Sequence, residues 1–354
     1  MTAAAAGITV DRFAGSADEW DAVVRDAGHA APGDWTHFHL YGWRTVIGEV
    51  LGHECPYLVA RDGGGRAVGV LPLVRVRSRI FGHYLVSMPF LNYGGPIGSQ
   101  AAQQALVNAA VRLATEQSVD LLELRSPTAL PVELPVSHRR ITVVLDLSSG
   151  GPEQIWKALD AKVRSQVRRP QKEGVEMRWG SDQVRPFFAV FARHMRDLGT
   201  PTQPLRLFEA IAATFPNDVW IGCAYFQGRP VAAGWGFRWR DEIEITWASA
   251  LSAYNRIAPN MLLYWGFIER AAKEGCRLFN FGRCAPDSGT HRFKRQWGGR
   301  DVPLWWYQFS GEGSATQATP SPKDGAFGWG PRIWKLLPVP LATALGPRIV
   351  RFLP

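Results

Sequence analysis

Residues 243–309 read IEITWASALSAYNRIAPNMLLYWGFIERAAKEGCRLFNFGRCAPDSGTHRFKRQWGGRDVPLWWYQF. Ile243, Ile245 and Trp247 alternate with Glu244, Thr246 and Ala248, the two-residue period of a half-buried strand. Pro259 suits a first helical turn, where its missing N–H costs nothing. Met261, Leu262, Trp265, Ile268, Ala271 and Ala272 then recur at helical spacing until Gly275 ends the helix. Leu278–Phe281 reads as a second strand, Gly282–Arg300 as a polar, basic loop, and Leu304–Phe309 as a last aromatic strand. A strand feeding a helix beside a sheet leaves free N–H groups at the positive end of the helix dipole, which suits phosphate.

Working outward, Trp220–Phe226, the turn Gln227–Arg229 and Pro230–Trp239 form a hairpin ahead of this stretch. The first half has the same order. Tyr57–Ala60 is a strand, Asp62–Arg66 a glycine turn, and Ala67–Val76 its partner. Tyr84–Phe90 follows, then an Asn- and Gly-rich loop, a helix over Gln100–Gln117, and strands at Val119–Leu124 and Ile141–Leu147. Both halves read β-turn-β-β-α-β-β. The pattern predicts an α/β (α+β) fold with two tandem mixed-sheet domains flanked by helices, 1–148 and 149–310, cut near Ser148–Pro152. A flexible linker and a basic, apolar tail occupy 311–354.

The chain has 354 residues, enough for two full cores, with 46% hydrophobic and 20% charged residues. Forty Lys and Arg against 31 Asp and Glu leave a formal charge of +9, which favours an anionic partner. The four cysteines form no CxxC pair, no spacing suggests a metal site, and no leader pattern or apolar run of membrane-spanning length is present. These features imply a reducing, cytoplasmic location, with buried free thiols.

PEQIWKALDAKVRSQVRRPQKEGV, residues 152–175, places Ile155, Leu159, Val163 and Val167 on one helical stripe. Lys162, Arg164, Arg168, Arg169 and Lys172 crowd the other faces with little acid nearby, which suits a helix bordering a phosphate-binding cleft; Pro170 should end or kink it. The tail from Phe327 to Pro354 interleaves Trp329, Trp334 and leucines with Arg332, Lys335, Arg348 and Arg351. It reads either as a peripheral membrane contact or as a segment packed back on the body.

KVRSQVRRPQKEGV (162–175), HMRDLGTP (194–201), WASALSAYNRIAPNMLLYW (247–265) and FGRCAPDSGTHRFKRQWGG (281–299) together resemble the FemAB-like proteins, nearest the branch associated with exosortase/PEP-CTERM exopolysaccharide systems. The second half also resembles the GNAT-like domain of CelD-type cellulose-biosynthesis proteins. The resemblance implies a tandem GNAT-type fold and N-acyl transfer. The donor would be acyl-CoA, aminoacyl-tRNA or an acyl carrier protein, bearing phosphates. The acceptor would be an amine on a cell-envelope or exopolysaccharide precursor, and neither DNA nor a metal is implied. By the same resemblance, Phe293–Lys294 before Trp297–Gly298–Gly299 matches a Fem pattern whose lysine lies at the donor or transition state. The glycine-rich pyrophosphate loop usual in GNAT proteins is replaced by Tyr254–Asn260, which contains no glycine.

Amine acylation needs a base, an oriented acyl group and donors for the oxyanion. Lys294, Glu244 and His194 are the catalytic candidates, with Asp197, Asp287 and His291 further titratable neighbours. Donor or substrate contacts are expected from Lys162, Arg164, Arg168, Tyr254, Asn255, Arg256, Asn260, Arg283, Ser288, Arg292 and Trp297, around one cleft of the second domain. Lys294→Ala is expected to abolish activity without altering stability. Two alternatives stand beside this reading: Cys284 as a nucleophile with His291 as base, and a catalytically inactive glycan-binding or scaffold protein. The first domain, without a cationic loop to match 283–295, reads as a spent copy.

Overall fold

The computed structural model describes residues 7–27, 37–311 and 330–353. They fall into two compact units. The first takes the chain up to Arg140, resumes at Pro303, and includes the residues from Arg351. The second takes Ile141–Val302 and the tail up to Val350. The strand Ile141–Asp146, assigned to the first domain from sequence, therefore belongs to the second unit. Trp305–Phe309, assigned to the second domain, belongs to the first.

The first unit holds two sheets. Thr9–Arg12, Leu58–Arg61, Ala67–Leu71 and Ile97–Gly98 form one. Val74–Ser78, Gly82–Val86, Leu121–Ser126, Trp305–Phe309 and Val136–Ser137 form the other. The single strand expected over Ala67–Val76 is split, because Pro72 offers no N–H to a ladder and its two sides join different sheets. The helix Gln100–Glu116, capped by Ser99, buries Leu106, Ala110 and Leu113.

The second unit is one seven-stranded sheet. Its order is Glu176–Trp179, Val219–Phe226, Arg229–Trp239, Glu242–Ala250, Leu278–Cys284, Ile141–Asp146 and Arg300–Pro303. All neighbours with stated pairing are antiparallel except Glu242–Ala250 with Leu278–Cys284, which are joined by the helix Pro259–Lys273. That helix buries its apolar stripe (Met261, Leu262, Trp265, Ile268 and Ala271) in the same core as Ile155, Leu159, Val163 and Val167. The 152–172 segment is two helices, Pro152–Ala158 and Ala161–Lys172, broken where Leu159 takes an extended conformation. Pro170 lies in the last turn of the second, which runs on to Lys172. The expected loop 282–300 instead contains the helix Gly289–Arg295, started by Ser288, whose side chain accepts from the His291 N–H.

The tail helices Gly330–Trp334 and Val339–Val350 are part of this second unit. The linker expected over 311–325 and the tail's first residues, 327–329, lie outside the described residues, apart from Gly311. No helix among the described residues is long and apolar enough to cross a membrane.

Candidate active site

The parallel ladder of the second unit is short. Glu242 pairs Leu278, Ile243 pairs Phe279, and Glu244 pairs Asn280; there the pairing ends, although both strands continue. The two strands thus form a fork. Its apex is Glu244 and Asn280, and one prong, Ile245–Ala250, keeps among the described residues a strand partner only on its other side, in Arg229–Trp239. A register shift opposite Trp235 and Gly236 marks the prong's start. The prong leads through Tyr254–Asn260 into the helix at Pro259, whose start has no side-chain cap.

Around the apex lies a buried polar cluster drawn from three adjacent strands and one helix. The Asn280 Nδ2 donates to Glu242 Oε1 at 3.1 Å and to Glu244 Oε2 at 3.3 Å. Its Oδ1 accepts from the Thr142 hydroxyl and from the Gly282 N–H at 2.9 Å, which fixes the amide with its two N–H bonds toward the carboxylates. Thr246 Oγ1 donates to Glu244 Oε1 at 3.2 Å. Two carboxylates beside one amide cannot both ionise freely. Burial, followed by the neighbouring charge of Glu244, lifts the Glu242 carboxyl to about 7.

Lys294 is buried, and its ammonium donates to the carbonyls of Gly282 at 2.6 Å and Arg283 at 2.9 Å. It therefore ties the helix Gly289–Arg295 to the end of the second prong, Phe281–Cys284. Burial lowers its pKa to about 8, opposed by Cys284 and Glu244 and assisted by Arg283. Its burial and two carbonyl partners argue against the expectation that Lys294→Ala leaves stability unchanged. Removing the ammonium strips two main-chain carbonyls of a buried partner, at a cost of roughly 1–3 kcal/mol before any cavity is counted. Glu244, read as a carboxylate on the polar side of its strand, is likewise buried.

The remaining candidates are dispersed. His194 bonds the Ala250 backbone and is held below its ordinary pKa by burial, with Asp197 opposing. Ala250 is six residues along the strand from Glu244, roughly 20 Å at strand rise. His194 therefore does not join the cluster at the apex. Arg164 caps the preceding helix through the carbonyls of Lys157, at 3.0 Å, and Leu159. Arg168 stacks on Trp156, its guanidinium 5.3 Å from the ring centroid, and Lys162 is exposed. Ser288 is spent as a helix cap, Arg292 bonds the Asp287 carbonyl, and Trp297 is core. Tyr254 packs edge-on against Phe226; Asn255 and Arg256 are exposed and Asn260 half-buried at the helix start. Arg283 is half-buried beside the second prong.

The helix Pro259–Lys273 is the element these segments share. The segment 283–300 reaches it through Phe293 and Trp297 on Tyr264 and through Gln296 on Met261, and the helix Ala161–Lys172 packs along it. Concavities of about 480 and 330 Å³ share Gln171, Trp265 and Glu269, and no residue of the fork apex lines either.

Cys284 is a buried thiol outside any disulfide. His291 has both ring nitrogens engaged: Nδ1 accepts from the Asp287 N–H at 3.0 Å, so Nε2 carries the proton facing Asp301 at 2.9 Å. That leaves no lone pair to deprotonate a thiol. Glu242, Asn280 and Thr142 were not singled out from sequence; the polar residues Glu242, Glu244 and Thr246 at alternate positions were the visible trace.

The first unit has a matching parallel pair that ends differently. Tyr84, Leu85 and Val86 pair Leu121, Leu122 and Glu123. Past that point the chain's own loop fills the opening. The Arg125 N–H donates to Ser87 Oγ at 2.7 Å, and the N–H groups of Gly94 and Gly95 donate to the Arg125 carbonyl at 2.9 and 2.7 Å. The Arg125 guanidinium, ion-paired with buried Glu123, reaches the Leu91 carbonyl at 3.3 Å. A Cβ on Gly94 would fall 2.3 Å from Met88 Cγ, so the seal requires glycine there. Met88 and Phe90 take left-handed backbone conformations to make it.

Residues 160–295 match the acetyltransferase (GNAT) domain family. No curated protein sequence matches the chain. Among solved structures, FemX aligns with a TM-score of 0.62 at 12% identity, covering 85% of this chain and 97% of FemX. The C-terminal domain of a putative lysylphosphatidylglycerol synthetase from Agrobacterium fabrum aligns at 0.56 and 12% identity, covering 85% and 95%. A tandem GNAT protein from the clavulanic acid biosynthesis pathway aligns at 0.54 and 14% identity, covering 86% and 98%. The fold is the tandem GNAT-like fold, with the matched acetyltransferase domain in the second unit.

Proposed function

We propose that the second unit is an N-acyltransferase that moves an acyl or aminoacyl group from a phosphate-bearing donor to an amine. The observation that carries this is the fork: a parallel pair that parts just beyond a largely buried Glu242–Asn280–Glu244 cluster. The prong Thr246–Ala250 offers main-chain amides to an extended, amide-bearing donor such as acyl-CoA. Beyond it, the uncapped start of a 15-residue helix meets the donor's phosphates, beside Asn260. An aminoacyl-tRNA would present its phosphates to the same end.

In the reaction the acceptor nitrogen attacks the acyl carbonyl, the N–C bond forms, and the bond to the leaving sulfur or oxygen breaks. The proton shed by the amine passes to the Glu242–Glu244 pair, whose upper pKa near 7 suits a base at neutral pH. Lys294 uses two of its three N–H bonds to hold the second prong and sets a cation beside the developing oxyanion. The first unit, its own opening filled by residues 87–95, takes no donor. An envelope or exopolysaccharide precursor is the acceptor class that the FemAB-like sequence strings favour.

Incubating the full chain with acetyl-CoA or aminoacyl-tRNA and amine-bearing envelope precursors, with mass spectrometry of the acceptor, tests the reading. Amide product that Glu244→Gln abolishes is expected. Absence of both donor binding and transfer would overturn it and leave the inactive scaffold.

A further inference from the structure

The two tail helices pack within the second unit, and that packing leaves one face of them unused. In the helix Val339–Val350, Ala342, Gly346 and Val350 are buried at four-residue spacing. Gly346 lies so close to the Thr202 backbone that a Cβ there would come within 2.8 Å of it. Arg196 Nη1 donates to the Lys335 carbonyl at 3.2 Å, and Gly199 abuts Pro331. These contacts clamp both tail helices against the C-terminal end of the helix Val184–Leu198. The opposite stripe of the last helix, Leu341, Ala344 and Arg348, faces solvent.

What stands outward is unusually apolar. Leu336 is 82% exposed, Leu198 54%, Ile333 51% and Leu341 45%, and all four come from elements that meet at this clamp. Single exposed leucines need no explanation, but four on elements packed into one clamp do. The same elements expose Arg332, Lys335 and Arg348, and residues 330–353 contain no acidic side chain. Asp197, next to Leu198, is held by Arg196 at 3.0 Å. Among the described residues no ion pair engages Arg332, Lys335 or Arg348, and apolar side chains among such cations complement a surface that is negative at its face and hydrocarbon beneath.

We propose that this edge, built from Leu198, Ile333, Leu336 and Leu341 with Arg332, Lys335 and Arg348, is a docking surface for an anionic lipid bilayer. It acts as a preformed platform: the helices are already folded on the body, so ordering them costs nothing at the moment of binding. The surface stands independently of the acyl-transfer reading, because none of its residues belongs to the fork.

The test is co-sedimentation of the full-length protein with vesicles of phosphatidylcholine alone or mixed with phosphatidylglycerol, at low and high salt. Binding to the mixed vesicles that weakens with salt is expected. Arg332→Glu, Lys335→Glu and Arg348→Glu should each lower partitioning at least about fivefold, the factor that corresponds to about 1 kcal/mol per cation. Leu336→Asp should weaken binding as well. All four positions are exposed, so an unchanged melting curve is the folding control. Equal sedimentation of wild type and both Leu336→Asp and Lys335→Glu would overturn the proposal, as would wild type indifferent to phosphatidylglycerol. A concentration-dependent dimer abolished by Leu336→Asp, without vesicle binding, would also overturn it by making the edge a self-interface.

Discussion

Glu242→Gln should make the protein more stable, and only at the alkaline end of its range. In the folded chain, burial and Glu244 raise the Glu242 carboxyl from 4.5 to about 7. Between those values the folded state holds a proton that the unfolded chain has released. Stability therefore falls as pH rises through this window, and the full penalty is present above about pH 7. At about 1.4 kcal/mol per tenfold change, the shift corresponds to roughly 3 kcal/mol. Glu242 keeps partial solvent contact, so about 2 kcal/mol is the working figure. Glutamine has the same shape, still accepts from Asn280 Nδ2, and carries no titrating group. The variant should match wild type near pH 4.5 and melt about 4–8 °C higher at pH 8, for a unit of this size. Scanning calorimetry of both proteins from pH 4.5 to 8 measures the difference. A difference that does not grow with pH, or a variant less stable at pH 8, would refute the shared-proton account of the cluster.

The same two groups shape the rate. Transfer should rise as the carboxylate pair ionises near pH 7 and fall as Lys294 loses its proton near pH 8, and Glu242→Gln should flatten the acid limb of the pH–rate profile. Lys294→Ala should lose activity and also lower the melting temperature, a result that a freely exposed lysine could not give; an unchanged melting curve would contradict the paired carbonyls of Gly282 and Arg283. Ser288→Ala should cost about 1 kcal/mol of stability through the lost cap, with KM for the donor unchanged, and a raised KM would return Ser288 to donor binding. Cys284→Ala should retain transfer, since His291 is committed to Asp287 and Asp301; complete loss in a folded variant would restore the thiol as a nucleophile.

Much of the fold was legible because its signals are local. The alternation at Ile243–Ala248, the proline at 259 and the glycine at 275 mark a strand, a helix start and a helix end within a few residues of where they act. The stripe Ile155, Leu159, Val163 and Val167 is buried as its spacing implied, although Leu159 breaks the helix that carries it. The repeated order of elements likewise revealed a doubled domain, since each half punctuates its strands and helix in the same places.

Pairing across the sheet was not legible, because any apolar strand of similar length satisfies the same pattern. Nothing in Ile141–Asp146 says that it lies beside Leu278–Cys284, and nothing in Trp305–Phe309 says that it returns to the first unit. The cluster at the apex depends on those choices: Thr142, Glu242, Glu244 and Asn280 meet only because three particular strands are neighbours. Charge ran the same way. The run HRFKR reads as a cationic loop for a donor's phosphates; the helix Gly289–Arg295 leaves Arg292 and Arg295 exposed but turns Lys294 inward onto two carbonyls. The sequence alone determined most of the strands and helices and that the domain is doubled, since those follow from short-range sterics and hydrophobic period. Tertiary structure alone decided which opening stays free, which is sealed by residues 87–95, and which charges are buried, since burial and electrostatic coupling depend on what the folded chain sets beside each group.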